Sequence, residues 1–150
     1  MRIEGQFEFE GISSEAVWDF LTDANRIAQC LPGCEKLEKT GEGTYEMQMK
    51  IGVGAISGSF SGGIRLHNLQ PISQYEMTVN GTGAPGFVKG EGKVQLSPRD
   101  SGTLLQYSGD VSAGGAIASV GQRMIGGAAR MVIDQFFKCV SGKLSPPEPA

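Results

Sequence analysis

Residues 115–143 read GAIASVGQRMIGGAARMVIDQFFKCVSGK, and no proline interrupts them. Apolar residues recur at Ile117, Val120, Met124, Ala128, Met131 and Cys139. Gln135 lies on the same row, and Val132 and Phe136 flank it. That spacing predicts one amphipathic helix of more than about seven turns, about 40 Å long at 1.5 Å per residue. An apolar stripe of that length needs a surface of similar length to bury it. The residues upstream read as that surface.

Residues 2–10 alternate, with Ile3, Gly5, Phe7 and Phe9 on one side and charged or amide residues on the other, as in a half-buried strand. Ser13 and Ser14 offer an N-cap, with Glu15 in the first turn, ahead of Ala16, Val17, Phe20 and Leu21 at helical spacing. A second short helix spans about residues 24–30 and ends at Leu31-Pro32-Gly33. From Glu35 the period returns to two, with Tyr45, Met47, Met49, Ile51 and Val53 sharing a face. Further strands are expected over residues 59–69, 74–81, 87–96 and 103–111, joined by short polar or Gly/Pro-rich connectors. Gaps of hairpin length make neighbouring strands antiparallel. The expected class is α+β: a curved antiparallel sheet wrapped around a long C-terminal helix, with two short helices after the first strand. One domain covers residues 1–144, and residues 145–150, SPPEPA, form a proline-rich tail that cannot continue the helix.

Glycine stands out at 23 of 150 residues, about twice the usual ~7% share. Ten glycines lie between Gly52 and Gly92, within the strand pattern, where glycine marks bending or close approach. Inward positions are small at Gly62, Gly81, Gly90, Gly92 and Gly109, and on the helix at Gly121, Gly127 and Ala128. Others are soft, with Met47, Met49, Met77, Met124 and Met131. Taken one at a time, such residues bend a sheet or fill a gap. Combined with a sheet wrapped on a helix, they point to a lipophilic pocket. The wall residues expected are Met47, Met49, Phe60, Leu66, Met77, Val79, Val94, Tyr107, Ile117, Val120, Met124 and Met131. The Ala84-Pro85-Gly86-Phe87 turn and Gly114-Gly115 are expected at its mouth.

The charge balance excludes other classes. Thirteen basic and sixteen acidic residues give a net charge of -3, and no basic stripe forms to track phosphates, so no nucleic-acid partner is expected. The sequence shows neither a signal-peptide run nor a membrane span, which makes the cytoplasm the default location. Three cysteines, Cys30, Cys34 and Cys139, are too few and too odd in number for a disulfide framework. A zinc site needs about four ligands, and they cannot be assembled, so neither metal nor cofactor is expected. The single histidine, His67, falls on the face opposite Ile64 and Leu66, toward solvent, and leaves no catalytic set to build. Tyr107 and Gln135 are the polar groups expected toward the pocket.

Several segments together carry a family resemblance: Phe7 and Phe9, Leu31-Pro32-Gly33-Cys34-Glu35, Gly52-Val53-Gly54, and Gly58-Ser59-Phe60-Ser61-Gly62. On the helix, Val120-Gly121-Gln122-Arg123-Met124-Ile125, Ala129-Arg130 and Phe136-Phe137 complete the set. They resemble the CoxG family, named for the G subunit of carbon monoxide dehydrogenase, within the START-like (polyketide cyclase, Bet v 1-like) superfamily. The resemblance runs over nearly the whole chain and implies a helix-grip fold with a hydrophobic cavity. It also implies an accessory role beside a molybdenum-containing dehydrogenase, as a membrane-recruitment factor or quinone carrier, with peripheral contact at the inner face of the membrane. Three readings stay open: a carrier of a hydrophobic small molecule, an aromatase/cyclase-like enzyme, and an assembly factor acting through a surface patch near Ala84–Phe87.

Overall fold

A computed structural model describes residues 1–53 and 56–145. Strand β1 (Arg2–Phe9) leads into helices α1 (Ser14–Leu21) and α2 (Ala24–Cys30). A meander follows: β2 (Cys34–Gly41), β3 (Thr44–Val53), β4 (Ile56–Gln70), β5 (Gln74–Gly83), β6 (Gly86–Arg99) and β7 (Gly102–Gly114). A single 3₁₀ turn, Gly115–Val120, precedes helix α3 (Gln122–Leu144). The seven strands form one antiparallel sheet in the order β1-β7-β6-β5-β4-β3-β2, so the first strand pairs with the last and β2 is the other edge.

Local chemistry sets the element ends. The Ser13 hydroxyl accepts the Ala16 amide at 3.1 Å and opens α1. Asp23 Oδ1 accepts the Asn25 and Arg26 amides and opens α2. Thr103, buried on β7, donates to the Ile12 carbonyl at 2.8 Å and touches Ser14 Oγ at 3.0 Å, fixing α1 to the sheet. In the Leu31-Pro32-Gly33 turn, Gly33 has φ +76, and a Cβ there would collide with the Lys50 carbonyl. The Gly33 carbonyl accepts the Lys50 amide at 2.8 Å. Only glycine admits that approach of the turn onto β3.

Three expectations need correction. The single helix over residues 115–143 breaks at Gly121 (φ +91), and α3 proper is 23 residues, about 35 Å. Its buried face is set by Ile125, Gly126, Phe137 and Val140, whereas Met124, Met131 and Gln135 are exposed. The stripe is turned by about one residue because Ile117 and Val120 belong to the 3₁₀ turn and do not share α3's register. Two phases of α3 were almost equally apolar in sequence. Packing of Phe137 on Phe7, Phe9 and Tyr107, at centroid distances of 5.7, 6.2 and 5.8 Å, selects one.

The third correction concerns cysteine. The sequence sets Cys139 apart from Cys30, and an odd cysteine count argues against a disulfide framework. The structure joins Cys30 to Cys139, with Cα atoms 5.4 Å apart, and so ties α2 to α3. Cys34 remains a half-buried free thiol, its pKa raised mainly by burial and partly offset by a backbone hydrogen bond from Lys36. Residues 146–150 of the expected tail lie outside the described residues.

Candidate functional site

The inner face of the sheet follows from register. Phe60, Leu66, Met47, Met49, Val94, Leu96 and Leu105 are buried, and residues alternating with solvent positions share their side. Across that face Gly62 pairs with Gly81, Val79 with Gly90, Gly92 with Gly109, and Tyr107 with Gly5. A band of glycines therefore crosses β4, β5, β6, β7 and β1 obliquely. At Gly62 and Gly109 a Cβ would strike the Asn80 and Glu91 carbonyls, so glycine there permits close strand approach. At Gly81 and Gly90 a Cβ would rest 3.6 Å from Phe60 and 3.8 Å from the Asp110 carbonyl, with ordinary room.

Two apolar clusters flank this band. The larger lies under α1 and α2 and includes Phe9, Trp18, Phe20, Leu105, Phe137 and Val140. The smaller, at the start of α3, gathers Ile56, Phe60, Ile117 and Ile125, with Val88, Val111 and Val120 around them. Between the clusters, Ile64, Met77, Val79 and Tyr107 point inward yet stay half-buried. Helix α3 lies closest to β1, α1, α2 and the 3₁₀ turn. The glycine-lined middle of the sheet is thus the part of the inner face with incomplete cover.

Among the expected wall residues, Met47, Met49, Phe60, Leu66 and Val94 are buried on the inner face, and Met77, Val79 and Tyr107 are half-buried there. Ile117 and Val120 sit in the 3₁₀ turn beside Phe60. Met124 and Met131, 47% and 45% exposed, lie on the outer face of α3 and drop out of the wall. Gln135 is likewise exposed. Ile125, Ile133 and Phe137 are helix-side residues outside the expected row, and Phe136, expected beside that row, joins them. The Phe136-Phe137 pair was the available signal. The expected mouth segments do meet: the Ile117 amide donates to the Pro85 carbonyl at 2.7 Å, and Phe87 pairs with Gly114.

Polar chemistry on this face centres on Tyr107. Its ring lies across Gly5, with the phenol oxygen 2.5 Å from where a Cβ would sit. Burial raises its pKa, with Arg130 opposing and Asp134 adding to the shift, so the phenol stays neutral and able to donate. His67 lies on the convex face, half-buried, 3.2 Å from Thr78 Oγ1 and 3.7 Å from the Glu76 carboxylate. It has no access to the inner face. Among the described residues there is no cluster of metal-ligating groups, and no helix is long and apolar enough to cross a membrane.

A family model for CoxG, the G subunit of carbon monoxide dehydrogenase, matches residues 5–145. The chain belongs to the CoxG family. This CoxG family member is similar to a conserved protein from Geobacillus kaustophilus, with 36% identity, 96% and 95% of the two chains covered, and a TM-score of 0.91. A START superfamily protein from Mycobacterium smegmatis aligns at 17% identity over 95% and 96% of the chains, TM-score 0.71. The Zhui aromatase/cyclase from Streptomyces sp. R1128 aligns at 15% identity over 96% and 93%, TM-score 0.66. These last two likenesses establish the helix-grip fold of START-like and Bet v 1-like proteins. No curated protein matches the chain.

Proposed function

We propose that this protein binds a hydrophobic small molecule between α3 and the glycine-lined middle of the sheet, without catalysing a reaction. It does so as an accessory to a carbon monoxide dehydrogenase-type molybdenum hydroxylase. The observation that carries the reading is the glycine band beneath α3, flanked by inward apolar side chains that remain half-buried. Side chains deleted from the centre of a curved sheet leave apolar surface that a guest can cover. Ile64, Met77 and Val79 form the sheet wall and Ile133 and Phe136 the helix wall. Tyr107 donates a hydrogen bond to a carbonyl or hydroxyl of the guest. A quinone fits this combination of flat apolar body and carbonyl acceptor. Family membership supports the dehydrogenase partner, and any membrane contact is peripheral.

One observation favours the surface-acting assembly factor: Phe87, at the β5–β6 hairpin tip, is 43% exposed. The deciding experiment is organic extraction of purified protein with mass spectrometry, against a mock purification, followed by uptake of added quinone. A stoichiometric lipid or quinone supports the carrier. An empty extract with no uptake transfers the function to the hairpin surface.

A further inference from the structure

Helix α3 is fastened firmly at one end only. Its first half, residues 122–131, buries Ile125 and Gly126 and leaves Gln122, Arg123, Met124, Gly127, Arg130 and Met131 exposed. No side chain caps its start. Gly121, at φ +91, joins it to the 3₁₀ turn, with nothing within 4 Å of where a Cβ would sit. An uncapped first turn and the paired glycines Gly126 and Gly127 both weaken a helix locally. The second half is held: Phe137 and Val140 are buried, and Cys139 is bonded to Cys30, the last residue of α2.

The bridge sits where a lifting helix would pivot. A rod loose at its first turn and fixed near its last swings about the fixed end, so the covalent tie to α2 limits how far the first half can rise from the sheet. Cys139 is half-buried, whereas Cys30 is only 4% exposed, so the bridge offers one sulfur to a thiol from solvent. Cys34 does not serve as an internal reductant. Burial favours its protonated thiol, and the Leu31-Pro32-Gly33 turn separates it from Cys30.

We infer that the Cys30–Cys139 bridge is a thiol-operated latch on α3: closed, it retains the ligand beneath the helix, and opened, it lets the first half of α3 lift and exchange that ligand. The inference rests on the hydrophobic site proposed above. Opening consumes two thiols. A thiolate of the reductant attacks Cys139 Sγ, the S–S bond breaks, and Cys30 leaves as a thiolate and takes up a proton. A second thiolate of the reductant then attacks the first, and Cys139 leaves and is protonated in turn. The cysteines gain two electrons and two protons, and the reductant departs as its own disulfide. Phe137 and Val140 keep the second half of α3 docked in the reduced form.

The test compares the full chain before and after dithiothreitol, with the mass gain of two hydrogens confirming reduction. Hydrogen exchange over residues 122–131 should quicken about tenfold on reduction, the scale of a local opening, while β4–β6 keep their rates. A neutral fluorescent probe, N-phenyl-1-naphthylamine, should leave the reduced protein about tenfold faster than the oxidised one. Reoxidation should restore slow release, and Cys30→Ser/Cys139→Ser should match the reduced form. Val17→Ala, which loosens the core under α1 with the bridge intact, should release the probe at the parental rate. Equal release or equal exchange in the two redox forms, or the same acceleration in Val17→Ala, overturns the latch alone. Failure of both redox forms to take up the probe overturns the hydrophobic site, and the latch with it.

Discussion

Beneath α1 and α2 the inner face of the sheet is closed: Phe9, Val17, Leu105 and Val140 are wholly buried, and a disulfide pins α2 to α3 above them. A few residues along the same strands, Gly81, Gly90 and Gly109 stand where large side chains would otherwise be, and Met77 and Val79 stay only half-buried. Pleat, pairing and register continue without interruption through both regions. Only side-chain volume changes. One end of a sheet can therefore be close-packed core and its middle stay less covered without any change of backbone plan.

Replacing Cys30 and Cys139 together by serine should break this contrast most strongly. Their separation of 109 positions corresponds to about 4–5 kcal/mol of loop-closure stabilisation. Denaturant unfolding of parent and double variant measures it, and equal midpoints would remove the bridge from the packed end's stability. Phe9→Ala should cost about 3–5 kcal/mol, whereas Val79→Ala should cost about 1 kcal/mol. Similar losses at both positions would mean that the middle is core as well.

Gly90→Leu sharpens the contrast from the other side. It projects into the open middle and should abolish uptake of a hydrophobic ligand while changing stability by less than about 1 kcal/mol. Retained uptake would place the ligand elsewhere. Tyr107→Phe should weaken binding of a carbonyl-bearing ligand about 3- to 10-fold, the range of one hydrogen bond, and leave a pure hydrocarbon unaffected. The smallest effect is alkaline. Burial raises the Tyr75 pKa, so its contribution is fully present below the free-phenol range and is lost as pH rises above about 10. Tyr75→Phe should flatten that decline in a pH series of unfolding midpoints.

The strands were legible because alternation has a fixed period and the connectors carry turn chemistry, as at Pro71 and Asp100-Ser101, although Ser97 and Pro98, expected in a connector, extend β6 instead. The inner-face placement of Met47, Met49, Phe60 and Leu66 followed directly from that alternation. The helix side did not, because Met124 and Ile125 are equally apolar neighbours and only tertiary contact with Phe7 and Tyr107 chooses between their phases. Gly121 reads as a small helix residue in sequence, but its left-handed backbone is the break itself. The Cys30–Cys139 bond joins segments distant in sequence, and no local pattern announces it.

The pairing of β1 with β7 has a consequence in time. Arg2 lies opposite Asp110 and Phe9 opposite Thr103, so β1 is made about a hundred residues before the strand it pairs with. During synthesis at roughly 5–20 residues per second, Phe7 and Phe9 wait on the order of 5–20 s for β7 to emerge. Throughout that interval the nascent chain carries an aromatic strand without its pairing partner, and a chaperone that shields β1 would act on this segment before β7 emerges.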